Sequence, residues 1–464
     1  MEVLLAAAAA LAGLVFCVTA SDRTRLATAA FLAVPQVFAG PLGALSLPLS
    51  QCWVILMAVC WLVERKGVPL GDPVMRAVFL FAAVNGAAIA WSPDPMVGIL
   101  EVARITSFAF LYLYAVRVER EDPRGVRGVL RVVLAWALVA AALVWAFRLS
   151  PAAETAFLRS PLASLVAGPD AMAAFWGESA NNVTDPAKAG GFFINANVAS
   201  MFLGVATFAC LLLLAEERRR RHVAAALVIW SATFATGSKT AAALALLLPV
   251  AVRGVHVLGR PTARWFLPQA LLFAGAVLWL LPDLLARFVP SYAEASAHSL
   301  DSRAPMWEAA VQMFKQHWAL GLGHGGWART MELYAQFGIE VLPPHNLFIA
   351  AWAATGLAGV AALAAFALVV LHLLVTTVLR ATGSPLGRTA AFALGAWVWV
   401  LVHGMGDNTA VYGEAKSMTL LALVLGVVTA RRSAVAAAAA TAPTTAPTSS
   451  AGRSPTRTRR TATT

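Results

Sequence analysis

The sequence predicts an all-α polytopic membrane protein, and three observations carry that prediction. Of 464 residues, 60% are hydrophobic and 12% charged, whereas soluble domains run at about a quarter charged and under half apolar. Apolar runs of about 18 or more residues recur along the length, enough to cross a bilayer core at about 1.5 Å per residue. Basic residues gather in every second short link: Arg23 and Arg25, Arg65 and Lys66, Arg117 to Arg131, Arg218 to Arg221, Arg253 to Arg264, Arg380 and Arg388, Arg431 and Arg432. Lys/Arg bias in short links orients a membrane protein. These links are therefore assigned to the cytoplasm, and the net charge of +12 reads as topology, with no nucleic-acid partner.

The spans follow in order. The first, 3–20, has no basic stretch before it and many spans after it, so it reads as a membrane segment and not as a cleaved signal. The next, 26–45, runs into Pro35, Pro41 and Pro48, which would kink it or make it partly re-entrant. Further spans fall at 50–63, 75–92, 97–116, 130–148, 191–214, 223–237, 240–252, 266–282, 346–372, 389–404 and 417–430. The total is about twelve or thirteen; thirteen would put the N-terminus outside and twelve inside. Cys17, Cys52, Cys60 and Cys210 all lie in apolar runs with no metal or disulfide spacing, as packing residues do.

Two long links, 149–190 and 283–345, fall on the non-cytoplasmic side. Within the second, Met306, Trp307, Ala310, Val311 and Phe314 recur at helical spacing over 304–318, the pattern of an amphipathic helix on the membrane surface. A plain surface helix would show the same pattern. The polytopic domain is thus 1–432. The stretch 433–464, rich in Ala, Thr, Pro and Ser with scattered Arg, reads as a disordered basic cytoplasmic tail. No P-loop or dinucleotide fingerprint occurs, and the Gly-rich piece at 321–326 follows no strand, so it is no nucleotide site.

Polar residues at the outer ends of spans are the functional candidates. Asn195 and Asn197 open one span and either cap the helix or line a polar cavity. Lys239, in the turn Thr236-Gly237-Ser238-Lys239-Thr240, is either a snorkelling lysine or a cation aimed at an anionic headgroup. Arg303 forms either a surface ion pair with Asp301 or a bidentate contact to phosphate. His345 and Asn346 follow Pro343 and Pro344 at the start of a span. A histidine at a helix N-terminus is disfavoured in its protonated form, and a neutral imidazole is what a general base needs. Glu101 and Arg104 are an i,i+3 pair, either structural or part of a cavity.

These pieces together resemble the O-antigen ligase / O-antigen polymerase family of bacterial envelope glycosyltransferases. The resemblance rests on Gly191-x-x-x-Asn195-x-Asn197, on Ser238-Lys239, on Ser302-Arg303-x-x-x-Trp307, on Gly321-x-Gly323, and on His345-Asn346 followed by Gly356 and Gly359. It covers roughly 190–372 by motif and the remainder by hydropathy alone. The chain departs from the family pattern twice. Lys239 stands where arginine is usual, keeping the charge without the fork geometry. Ala354 stands where the family commonly has a glutamate.

The resemblance implies a GT-C-like, multi-pass enzyme of the bacterial cytoplasmic (inner) membrane, with a large outer-loop lid and its active site on the periplasmic or extracellular side. The donor would be a glycan on undecaprenyl diphosphate. The acceptor would be a hydroxyl of lipid A–core, of a growing polysaccharide or of a protein, with membrane lipid around the whole. In this reading Arg303 and Lys239 hold the diphosphate, and His345 takes the acceptor proton. Asn197 and Asn346 orient the sugar or the histidine, and Arg104 adds to the substrate cavity. Transfer would invert the anomeric centre. No cofactor is expected, and the outer loops carry no Asp-x-Asp, so transfer is expected to be metal-independent. The alternative is a transporter or flippase of lipid-linked sugars, which would more often show internal repeats and charges at the midplane.

Overall fold

The computed structural model describes residues 2–38, 47–69, 71–167, 187–258, 304–335, 343–406 and 415–441, with single residues 172, 185, 269, 272, 280 and 287. Every regular element among them is helical. The first half of the chain gives α1 (Glu2–Thr19), α2 (Asp22–Ala33), α3 (Leu49–Val63), α4 (Pro73–Ala88), α5 (Pro95–Glu121), α6 (Gly125–Leu149), α7 (Pro151–Leu158) and α8 (Pro161–Ala167). The second half gives α9 (Ala196–Glu217), α10 (Arg220–Ala235), α11 (Lys239–Leu258), α12 (Ala304–His317), α13 (Gly326–Ala335), α14 (Leu347–Arg380), α15 (Pro385–Gly406) and α16 (Ala415–Thr441).

Seven of the described helices are long and apolar enough to cross a membrane: α4 with the 3-10 turn that extends it, α5, α6, α9, α14, α15 and α16. Shorter apolar helices cover Ala10–Thr19 and Leu49–Val63. The protein is a multi-pass helical membrane protein. The expected span 266–282 lies outside the described residues, apart from three single positions. The helix in the proline-broken region stops at Ala33. At the other end of the chain α16 runs to Thr441, past the expected boundary at 432, because the alanines that follow Ser433 favour helix. Residues 442–464 of the expected tail are outside the described part.

Local chemistry sets the helix starts. Asp72 and Asp94 accept from two backbone amides each and are followed by Pro73 and Pro95, the residue that suits the first helical position. Close packing then fixes the bundle. Gly204 of α9 lies under the ring of Trp399 in α15, and Gly426 of α16 lies against the backbone of α5 at Ala115. Without a hydrophobic drive between helices in lipid, such small-residue contacts supply the association. Large exposed side chains such as Leu62, Leu80, Leu246 and Leu368 remain on the outside, as lipid contact requires.

Ion pairs between helices bring the basic links together at one end. There the charges neutralise one another. Arg431 of α16 donates to Glu119 of α5 at 2.8 Å and to Glu216 of α9 at 3.1 Å. Arg127 lies 3.5 Å from Glu216, and Arg131 pairs with Glu217. Buried Arg25 reaches Asp22, Glu64 and two carbonyls at the end of α1. The opposite end, the site end, gathers the starts of α5, α9, α11, α14 and α16 and the close of α15.

Candidate functional site

The two asparagines of the α9 opening divide the roles left open by the sequence. Asn195 is the cap, its carboxamide oxygen accepting from Asn197 N at 2.8 Å and Val198 N at 3.3 Å. Asn197 sits in the first turn, half-buried. Ahead of them the chain is pinned: Ala189 N donates to Thr236 O and Gly190 N donates to Glu154 in α7. Burial pushes the Glu154 carboxyl above its ordinary value, and the Gly190 amide pulls the other way. The Thr236 contact ties the α9 approach to the turn that carries Lys239, the first residue of α11.

His345 is buried and takes a positive φ of 49°. A non-glycine residue held there stores on the order of 1–3 kcal/mol, and such strain concentrates at functional sites. Asn346 directly after it caps α14, accepting from Phe348 N at 2.9 Å and Ile349 N at 3.2 Å. Its amide nitrogen donates to Met405 O at 3.2 Å. That bond fastens the start of α14 to the end of α15. Gly406, next along α15, packs against Thr240, so the Lys239 turn lies at the same place. One turn back, fully buried His403 shares a 2.9 Å hydrogen bond with Ser200 of α9. Lys239, His345, Asn346 and Asn197 therefore belong to one cluster built from four helix ends.

Two members of this neighbourhood had no signal in the sequence reading. His403 is one. Lys416 is the other, in the first turn of α16, buried with its ammonium 4.7 Å over the ring of Phe193. A cation at a helix N-terminus opposes the helix dipole, and burial adds a desolvation cost that the aromatic face offsets only in part. Arg104 pairs with Glu101 on α5 and lines a cavity with Gln51 of α3 and with Ala415, Met418 and Thr419 of α16. It thus approaches the Lys416 turn rather than His345. Arg303 lies outside the described residues.

The link after Arg303 is lashed down. The amphipathic helix expected at 304–318 is α12, and Met306, Ala309 and Met313 pack with Trp327, Met331 and Trp352. Val311, Phe314 and Trp318 stay exposed. Between α12 and α14 runs an apolar groove of about 360 Å³, walled by Trp307, Phe314, Phe348 and Trp352. The indole N–H groups of Trp307 and Trp352 are buried there with no partner among the described residues. The Gly-rich turn that follows threads into a break in α14. Gly356 adopts φ 69° and ψ −161° inside the helix. Leu357 N then donates to Ala319 O, and Leu322 N to Ala353 O at 2.7 Å. A Cβ on Gly356 would stand 1.9 Å from Ala319 O, and one on Gly321 would stand 2.1 Å from Trp352 O. His324 locks the far side, its ring Nε2 3.1 Å from Asn85 O of α4. Burial pushes that imidazole below its ordinary value, with the Asn85 carbonyl opposing the shift.

Residues 189–364 match the family model described as O-antigen ligase. No curated protein matches the chain.

Proposed function

We propose, from the match of residues 189–364 to the O-antigen ligase family model, that the chain is a member of that family and transfers an oligo- or polysaccharide from undecaprenyl diphosphate to an acceptor hydroxyl at the site end of the bundle. The observation that supports this reading is the cluster of Lys239, His345, Asn346 and Asn197 on four helix ends, with Lys416 on the neighbouring turn and an apolar groove beginning at Phe348. A polar cluster beside an apolar groove suits a substrate that is half sugar and half lipid.

In the proposed reaction the His345 imidazole accepts the proton of the acceptor hydroxyl while that oxygen bonds to the anomeric carbon. The bond from the anomeric carbon to the diphosphate oxygen breaks, and undecaprenyl diphosphate departs with the electron pair. Attack opposite the leaving group inverts the centre. Lys239, Lys416 and Arg303 stabilise the charge that grows on the diphosphate, an electrostatic task worth several kcal/mol when the groups are already in place. These cations fill the role a divalent metal has in other transferases. The site end is then the periplasmic or extracellular face, and the basic end the cytoplasmic face.

The test is transfer in vitro. Purified protein, an undecaprenyl-diphosphate oligosaccharide and an acceptor glycan should yield a glycosidic product of inverted configuration in the presence of a chelator. Movement of the intact lipid-linked glycan across a vesicle bilayer, with no product, would point to transport instead.

A further inference from the structure

Among the described residues the ion network at the basic end leaves several arginines out, two of them beside its centre. Arg431 is held by Glu119 and Glu216, yet neither Arg432 nor Arg120, the next residues on the same two helices, meets a carboxylate among the described residues. Arg432 reaches only neutral acceptors, Leu373 O and Thr376 Oγ1 at 3.3 Å and Thr377 Oγ1 at 3.5 Å. Arg120 reaches only Ser433 Oγ, at 3.4 Å. These are long contacts for a guanidinium, whose bonds to oxyanions run at about 2.7–2.9 Å.

Both arginines line one cavity of about 800 Å³ between α4, α5, α14 and α16, with His372 beside them. Its walls are apolar, including Val116, Leu368 and Val369, and Leu368 is among the large exposed side chains of the outer belt. The one carboxylate on the wall, Asp72, is already engaged: it accepts from Val74 N, Met75 N and the hydroxyl of Tyr112. The sequence after Thr441 carries four arginines and no acid, so it supplies no side-chain counter-charge.

We propose that this cavity binds the phosphodiester of an anionic glycerophospholipid in the leaflet at the basic end, with Arg120 and Arg432 holding the phosphate and the apolar walls taking the upper acyl chains. The volume lies within the range of ligand sites, about 300–1,000 Å³. Basic pockets between spanning helices are where such headgroups sit, and a planar guanidinium matches phosphate oxygens two at a time. The site lies at the opposite end of the bundle from the glycan chemistry and stands independently of it.

The experiment uses the full chain in neutral detergent, titrated with phosphatidylglycerol, phosphatidylcholine or inorganic phosphate, and read by native mass spectrometry and thermal melting. Wild type and the control Arg124→Gln/Arg380→Gln should bind phosphatidylglycerol in preference to phosphatidylcholine. In Arg120→Gln/Arg432→Gln the affinity for phosphatidylglycerol should fall about tenfold or more. Arg120→Lys/Arg432→Lys, which keeps the charge without the fork, should bind phosphatidylglycerol less tightly than wild type and more tightly than the glutamine pair. Equal binding by the glutamine pair and wild type would overturn the proposal. So would stabilisation by inorganic phosphate equal to that by phosphatidylglycerol.

Discussion

At the scale of single residues, the decisive feature is a histidine held in a costly conformation beside a helix cap. His345→Gly relieves the φ 49° strain but removes the imidazole, so transfer should fall by about 10²–10⁴-fold, the usual worth of a general base, with the protein still inserted in the membrane. Lys416 gives the converse test. Lys416→Met keeps the length and removes the charge, so transfer should drop at least about tenfold; a melting assay beside the transfer assay separates that loss from a loss of folding. Lys239, His345, Asn346 and Asn197 were legible in the sequence because each is polar at the mouth of an oily run. Lys416 and His403 were not. Their cost becomes visible only when burial is known, and the partners that explain them, Phe193 and Ser200, are more than 200 residues away.

At the scale of elements, α14 is two helices joined through Gly356. Its break receives the carbonyl of Ala319, which positions the link between α12 and α13 and, through Asn346, the residue before the cap. Gly356→Ala would force that carbonyl out of the break. The expected result is loss of transfer with the protein still inserted, together with faster proteolysis of the 304–335 region, read by limited digestion of vesicles. The helices themselves, the amphipathic α12 included, followed from hydropathy and periodicity. The break did not, because Gly356 among small residues looks like an ordinary packing glycine. Only the contact with a segment about 37 residues earlier in the chain gives it a purpose.

At the scale of the whole molecule, the protein separates its charges by end. The basic end is a lattice in which Arg431 joins α5, α9 and α16 through Glu119 and Glu216. Arg431→Ala leaves Glu119 without its partner and Glu216 with only the more distant Arg127 among the described cations, and should cost about 3–5 kcal/mol of stability, seen as a lowered melting temperature, with the folded fraction still active. The sequence disclosed the alternation of basic links but not this lattice, since a carboxylate's partner on another helix is a matter of packing and not of order. The glycan transfer proposed for the site end is tested most directly in the host. The gene is deleted, the host is complemented with wild type or with His345→Ala, and its surface and lipid-linked glycans are profiled. Wild type should restore the mature glycan, and His345→Ala, inserted at equal level, should leave the glycan on its lipid carrier. Full restoration by His345→Ala would rule out the role proposed for this histidine.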